Sequence, residues 1–517
     1  MDTPRYPKRL IEVDLPIKRI SAHARREKSI RHGHISTLHI WWARRPLAAC
    51  RAVICAALWP DPADDLCPQS FRDTARTLML KWANNHTKLL GEESFKHFVA
   101  IQKAVGAHGR APLQDNLVLR HALLDFIADF ANWDNSTVKE YLETSRALTQ
   151  AAHEALGGAP GTRPLVVDPF AGGGAIPLEA LRVGADAFAS DLNPVAVLLN
   201  KVLLEYIPKY GQRLADEVRK WGEWIKREAE NQLVEFYPKD PDGATPIAYL
   251  WARTIQCEGP GCGAEVPLIR SLWLAKKANR TVALQLVPRP RAKRVDFQII
   301  VKQRGGWVNQ DDPKAKIEAP KFDGTVKRGS ATCPCCGYTT PVPHIRDQLR
   351  AKKGGANDAR LMCVVSSRRD EQGRFYRLPS NSDIKAVSGA AAELVRRKKA
   401  HHGELSLVPE EPLPPQGTLG FRVQLYGMLE WGQLFTSRQL LTLTTLTRVV
   451  RAVGEQLHAG KKDQAFAEAV QACLACCVDR CVNQLSSLSK WHNGREVVDG
   501  VFARQALPML WDFVSFR

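Results

Sequence analysis

The chain has 517 residues, with 73 Lys and Arg against 54 Asp and Glu, a formal net charge of +19. Its 44% apolar and 25% charged residues are those of a globular protein large enough for two to four domains, which excludes a disordered chain. No apolar run reaches the roughly 18 residues that cross a bilayer. The polar, basic N-terminus lacks a signal-peptide core, so no membrane partner and a cytoplasmic location are expected.

The positive charge is concentrated. Residues 1–60 carry 12 basic against 4 acidic side chains, and residues 263–332 carry 15 against 6. Clustered cations favour contact with a phosphate backbone through counterion release, and the structural alternative is a solvated basic surface.

In chain order, residues 1–60 form a basic N-terminal domain that starts extended at Arg9–Pro16. The run from Ser36 then enters an apolar helix that continues through Leu58. Within it His32, His34, His39, Trp41, Trp42, Arg44 and Arg45 fall in 14 residues. Such a cluster is able to stack on bases or on an adenine ring, or equally to pack as core. Residues 61–160 have helical apolar spacing, clearest from Leu117 to Phe130, and Gly157-Gly158 closes them.

A compact α/β unit, 161–237, follows. The apolar run Pro164-Leu-Val-Val leads to Asp168-Pro-Phe170-Ala-Gly172-Gly173-Gly174, and a helix starts near Pro177 and stops at Gly184. A second strand, Ala185 to Asp191, precedes Asn193-Pro194 and an apolar helix, and 211–236 reads as an amphipathic helix. Glycines let a ligand approach the backbone, and the helix start beyond them offers free N–H groups. Asp168 at the strand tip is placed to accept from a cationic amino group. Asp191, ending the next strand about 20 residues on, suits ribose hydroxyls. Pro177 stands where a nicotinamide-type Gly-x-Gly-x-x-Gly needs its third glycine, and no Gly-Lys-Ser/Thr follows to make a nucleotide-triphosphate loop. The pattern is that of S-adenosyl-L-methionine binding by Asp168, Phe170, Gly172, Gly174 and Asp191. Arg45 and Pro46, at a helix start, are candidates to cradle the methionine end.

Residues 238–345 change style. A β-like run from Pro246 leads to Cys257-x4-Cys262, and Cys333-Pro-Cys-Cys336 follows after a basic insert whose segments Thr281–Leu286 and Val295–Lys302 alternate like a hairpin. Two cysteine pairs, each followed by glycine (Gly263, Gly337), predict a structural Zn2+ held by Cys257, Cys262, Cys333 and Cys336. The loose first spacing leaves Cys335 or His344 as substitutes for one ligand. Cys473, Cys476, Cys477 and Cys481 lie at helical spacing and read as core thiols rather than an iron–sulfur site. The remainder divides into a mixed α/β segment (346–400), a Pro-rich linker (401–418) and a helical C-terminal region (419–517).

These residues carry a resemblance. Residues 9–60, the motif at 168–180, Asp191-Leu-Asn-Pro194, and the cysteine region with Pro267-Leu-Ile-Arg270 resemble the N-terminal half to two-thirds of the adenine-specific DNA methylases that contain a zinc ribbon. The resemblance implies an α/β, Rossmann-like methyltransferase core with helical elaborations and an inserted zinc ribbon. It also implies methyl transfer from S-adenosyl-L-methionine to the exocyclic amine of adenine in DNA, in restriction-modification or phage defence. The chain departs from that family in one respect. It has no Asn/Asp-Pro-Pro-Tyr/Phe/Trp, the tetrapeptide that orients the flipped base, and Pro412-Leu-Pro-Pro-Gln416 is the nearest string. No catalytic residue is therefore named. The expectation is an incomplete core, from a truncated or split enzyme whose partner chain carries the missing motif. The alternatives are a non-catalytic nucleic-acid-binding subunit that retains the cofactor pocket, and an RNA-directed methyltransferase.

Overall fold

The computed structural model describes residues 6–30, 32–85, 96, 100, 112–278, 280–418, 420–459, 463–502 and 506–516. It is a mixed α/β protein with several small sheets, and it divides into two compact units, 1–214 and 215–517. Part of the helical region expected over 61–160 lies outside the described residues. No helix among the described residues is long and apolar enough to cross a membrane.

The first unit is built on helices α1 (Ile17–Glu27), α2 (Leu47–Leu58), α3 (Gln69–Asn85), α4 (Pro112–Phe130) and α5 (Lys139–Ala155). Their apolar faces bury Trp59, Phe71, Trp82, Phe126, Phe130 and Tyr141 in one aromatic-rich core. The Arg9–Pro16 stretch, expected to be extended, contains a 3-10 turn at Leu10–Glu12, pinned where the Glu12 carboxylate accepts from Arg9 N at 2.7 Å. The apolar helix entered by the run from Ser36 begins at Leu47, next to Arg45 and Pro46 as expected. Pro46 takes an extended ψ of 129°, and the buried Glu27 carboxylate accepts from Leu47 N and Ala48 N at 2.8 and 2.5 Å. A carboxylate on the free N–H groups of a helix start also meets the positive end of the helix dipole.

Strand β1 (Leu165–Asp168), helix α6 (Ala175–Val183) and strand β2 (Asp186–Ala189) form a βαβ unit with β1 parallel to β2, Leu165 opposite Asp186 and Asp168 opposite Ala189. Gly184, at φ 100°, ends α6 in the left-handed conformation that glycine adopts at helix termini. Val166 and Ala187 pack on the helical core, whereas Leu165, Val167 and Phe188 point the other way and are exposed. Among the described residues this sheet has two strands. After the Asn193 cap come α7 (Pro194–Asn200), a π-helical turn at Lys201–Tyr206 and α8 (Ile207–Leu233), which is broken at Gly211 and carries the chain into the second unit.

Arg51 of α2 joins the helical core to the βαβ unit. Its Nε donates to Glu179 Oε2 of α6 at 2.6 Å, and its Nη1 donates to the Phe130 carbonyl, with both ion-pair side chains almost fully buried. Arg182 lies 3.4 Å from the same carboxylate.

The second unit centres on β3 (Thr245–Gln256), which pairs with β4 (Glu265–Leu268). A curled sheet follows: β5 (Trp273–Lys276), β6 (Thr281–Arg289), β7 (Arg294–Gln303), β8 (Gly306–Asn309) and β9 (Lys316–Ile317). The expected hairpin is β6–β7, paired antiparallel from Val282–Val301 to Arg289–Arg294. Short strands β10 (Val326–Lys327), β11 (Ser330–Thr332) and β12 (Thr339–Thr340) form a third sheet. Strand β13 (Arg360–Ser367) pairs with β3, and β14 (Phe375–Arg377) pairs with β13.

Residues 401–418, expected as a linker, are anchored. Val408 and Leu413 are buried in a core with Leu434, Leu440 and Leu485, and Pro412 bridges to Glu430. The C-terminal region is helical over Ser437–Ala459 and Gln464–Val482 but ends in β-structure. A short hairpin forms at Lys490–His492 and Val497–Asp499, and the last strand, Asp512–Phe516, lies antiparallel on β3. Phe513 stacks parallel to Trp251, and the Trp251 indole donates to Ser515 Oγ at 2.9 Å. A five-residue strand gains its stability from such cross-strand pairs, which the periodicity of the preceding helices conceals.

Replacing Arg51 by Met should expose the cost of the buried Glu179 carboxylate. Stability measured by urea unfolding is expected to fall by about 3 kcal/mol, the low end for breaking a buried pair because Arg182 stays near. A loss under about 1 kcal/mol would show that the pair is not what joins α2 to α6.

Candidate functional site

In the first unit the chain turns at Asp168 into the glycine loop. The Asp168 carbonyl accepts from Ser190 N at 3.0 Å, and Ser190 O accepts from Ala171 N at 3.0 Å, so the loop is stitched to the end of β2. Asp168 Oδ1 accepts from Phe170 N at 3.1 Å. Asp191 braces the loop with both oxygens: Oδ2 accepts from Gly172 N at 2.9 Å and Oδ1 from Asn193 N at 2.8 Å. Asn200, absent from the sequence-based candidates, donates from Nδ2 to Gly172 O at 3.0 Å.

The glycines are required by their surroundings. Gly172 has φ 50°, and a Cβ there would lie 2.7 Å from Trp41 Nε1. Gly174 has φ 78°, and its Cβ would lie 2.9 Å from Asn200 Oδ1, a buried oxygen with no hydrogen bond. Any other residue at these positions would be strained and would push a neighbour aside.

The basic-aromatic segment packs directly on this loop. The two enclose a cavity of about 260 Å³, with His34, His39, Trp41, Arg44 and Arg45 on one side and Asp168, Phe170, Gly172 and Gly173 on the other. Asp168 is buried at 9% exposure, Phe170 is 81% exposed, and Arg44 and Arg45 are exposed. Trp41 is buried and stacks on the exposed Trp42 with centroids 4.6 Å apart. Within the cluster that the sequence left between core and platform, Trp41 is therefore core and Trp42 is exposed. His34 is buried, with Nδ1 accepting from Ser36 N at 3.1 Å and Nε2 3.7 Å from Glu27 Oε2. Of the cofactor candidates, Asp168, Phe170, Gly172 and Arg45 line the cavity, while Gly174, Asp191 and Pro46 lie outside its lining. The local signal for His34 and Trp41 was present in the 14-residue cluster. Asn200 carried none, being one polar residue in an apolar helix.

In the second unit Cys257, Cys262, Cys333 and Cys336 converge, and their sulfurs all lie within 4.8 Å of one another. Cys257 Sγ is 3.5 Å from Cys336 Sγ, and Cys262 Sγ is 3.9 Å from Cys333 Sγ. Tetrahedral zinc with Zn–S bonds near 2.3 Å sets sulfurs about 3.8 Å apart, so these four residues could hold a metal ion such as zinc. The knuckles are closed by Cys257 N to Ala264 O and Cys333 N to Tyr338 O, each 2.8 Å, with Gly263 and Gly337 at positive φ. Cys335 instead donates to Arg294 O at 3.4 Å, and His344 pairs with Glu258 at 2.6 Å, so neither joins the group. The helical thiols stay apart from it. Burial pushes Cys473 up to about 11 and Cys476 up to about 12, and no metal-type cluster forms there among the described residues.

The purified chain should carry one equivalent of zinc by elemental analysis, and Cys333→Ser should lose it and leave residues 257–344 sensitive to protease. Retention of a full equivalent by Cys333→Ser would remove that residue from the ligand set. Gly172→Ala should lower stability by about 1–2 kcal/mol through its left-handed backbone and Trp41 contact, read from thermal melts.

A family model described as "Protein of unknown function (DUF1156)" matches residues 14–79, a span that contains α1, the basic-aromatic segment and α2. No curated protein matches the chain, and no solved structure matches it.

Proposed function

We propose that this chain is the cofactor-binding part of an S-adenosyl-L-methionine-dependent DNA methyltransferase directed at the exocyclic amine of adenine. The observation that carries the proposal is the cavity in which Asp168 and the glycine backbone face the Trp41–Arg45 segment. The chemistry of the lining fits the cofactor. A buried carboxylate suits a cationic amine, close-approach glycines suit a ligand lying across the strand end, and the exposed Arg44 and Arg45 suit a carboxylate. When bound, the cofactor supplies an electrophilic methyl group on its sulfonium.

Each role belongs to a named residue. Asp168 would hold the amino group, Phe170 would cover the ligand from the solvent side, and Trp41 would fix the loop against which it rests. Asp191 would act mainly by holding Gly172 N and Asn193 N, with its remaining lone pairs available to ribose hydroxyls. The bound metal would shape a zinc ribbon, with Cys257, Cys262, Cys333 and Cys336 as a closed structural set rather than a catalytic one.

Orientation of the target amine is not assigned to this chain, because the Asn/Asp-Pro-Pro-aromatic tetrapeptide is absent from it. A partner chain would supply it. The exposed Leu165, Val167 and Phe188 on one face of β1–β2 support that reading, since parallel strands are usually buried on both faces. The same absence favours one alternative, a non-catalytic nucleic-acid-binding subunit that keeps the pocket.

Calorimetry with S-adenosylmethionine should give binding to the intact chain and at least a tenfold weaker affinity for Asp168→Ala. Labelled methyl transfer to adenine-containing DNA then separates the readings. Incorporation by this chain alone would make it a complete enzyme, and binding without transfer would leave the partner-dependent or binding-subunit forms. No cofactor binding by folded, zinc-loaded protein would end the proposal.

A further inference from the structure

The basic insert of the second unit builds a surface that the cofactor reading does not use. The β5 edge of the curled sheet β5–β9 is extended where residues 322–326 run back along 269–272: Leu272 N donates to Phe322 O at 3.0 Å, Ser271 bridges Asp323, and Val326 N donates to Ile269 O at 3.0 Å. Gly324 permits the approach, since a Cβ there would lie 2.0 Å from Ile269 O. One face of the sheet, with Leu274, Val282, Leu284 and Ile299, packs on Ala248, Leu250, Met362 and Val365 of β3 and β13.

Alternation places a different set on the opposite face. The row Trp273, Ala283, Ile300, Asn309 crosses four strands, and Lys302 pairs with Trp307 in the next row. The returning segment brings Phe322 onto Trp273, stacked at 4.1 Å, with Trp307 5.0 Å from Phe322 and 5.8 Å from Trp273. All three rings are half-buried. Beside them runs an amide ladder: Gln298 Nε2 donates to Gln285 Oε1 at 3.2 Å, and Asn309 Nδ2 donates to Gln298 Oε1 at 3.3 Å. These amides are also partly open to solvent.

Cations stand at both ends. Lys276, over the Trp273 ring at 5.2 Å, and Lys302 are exposed at one end and have no carboxylate partner among the described residues. At the other end Arg289, Arg294 and Arg360 converge on Asp296 at 3.3, 3.0 and 3.2 Å, with Glu265 3.4 Å from Arg360. That end therefore keeps a net positive charge. The β6–β7 ladder between the two ends is about 26 Å long, taking eight residues at the strand rise of 3.3 Å.

We infer that this face binds single-stranded or locally unpaired nucleic acid. Aromatic rings stack on bases of any sequence, amide side chains hydrogen-bond base edges, and flanking lysines and arginines take the phosphates. A paired duplex hides its base faces and so offers nothing for the rings to stack on. The inference deepens the nucleic-acid half of the proposed function and stands independently of its cofactor half. A methyltransferase acting on an extruded base would gain a holding site for the opened strand.

The test is fluorescence anisotropy of the full chain with a fluorescein-labelled twelve-nucleotide thymidine oligomer and with a twelve-base-pair duplex. The single strand should bind more tightly. Trp307→Ala should weaken it between about fivefold and a hundredfold. The exposed substitution Lys302→Glu, which leaves the aromatic cluster intact, should also weaken it and flatten its salt dependence. Unchanged single-strand affinity in Lys302→Glu and in folded Trp307→Ala would overturn the inference. So would tighter binding of the duplex, or binding of an oligosaccharide in place of DNA. Cofactor affinity, measured on the same variants, should not move. If wild-type protein binds the oligomer through these residues but not S-adenosylmethionine, the cofactor reading fails and this one stands.

Discussion

The buried pair between Arg51 and Glu179 is the constraint on which the candidate cofactor site depends. Arg51 sits in the helix that follows the basic-aromatic segment, and Glu179 sits in the helix that follows the glycine loop. Two charges taken out of water are costly to separate once buried, so this contact fixes one helix against the other. With those helices fixed, the segments that precede them have to meet. Trp41 comes to rest against Gly172 and Gly173, and a cavity is left between Arg45 and Asp168. The Glu27 carboxylate on the start of α2 serves the same end, setting where the helix begins and so where the loop before it must turn.

A comparable logic organises the second unit around β3. That strand carries Cys257 just beyond its end, pairs with β4, β13 and the C-terminal strand, and backs the curled sheet through Ala248, Leu250 and Ala252. Arg253 is fully buried here, with no carboxylate among the described residues at ion-pair distance. It donates to the carbonyls of Leu510 and Ser487 at 2.8 and 3.1 Å and to the Gly354 carbonyl, and its guanidinium lies over Phe513. Burial pulls it down to about 9. Segments far apart in sequence are thereby tied to one strand by a single side chain, and the cysteine knuckles are held at the end of a rigid element.

Several features were legible beforehand because they are local. The glycine loop, its strand and its helix could be read from Asp168 to Gly184, since turn chemistry and helix punctuation act over a few residues. The four cysteines could be grouped because knuckle spacing and the following glycines are properties of short loops. The β6–β7 hairpin appeared as plain alternation. By contrast, the turn within Arg9–Pro16, the anchoring of the 401–418 segment and the strand at the C-terminus were not legible, the last two because a distant partner decides them. Val408 and Leu413 are buried by helices that follow them, and Asp512–Phe516 is a strand because β3 offers it an edge.

The sequence by itself determined the charge clusters, the loop that can approach a ligand, the metal-type cysteine set and the absence of a base-orienting tetrapeptide. Each follows from residue types at short spacing, where backbone sterics and side-chain chemistry act without help from the fold. Only the tertiary structure decided that Trp41 and Arg45 face Asp168, that Asp191 braces the loop instead of lining the cavity, and that Asn200 supports it. It alone gathered Trp273, Trp307 and Phe322 into one patch, because the curl of the sheet and the returning 322–326 segment join side chains that lie 15 to 49 positions apart in the chain. Juxtapositions of that range are set by core packing and buried electrostatics, which no local pattern encodes.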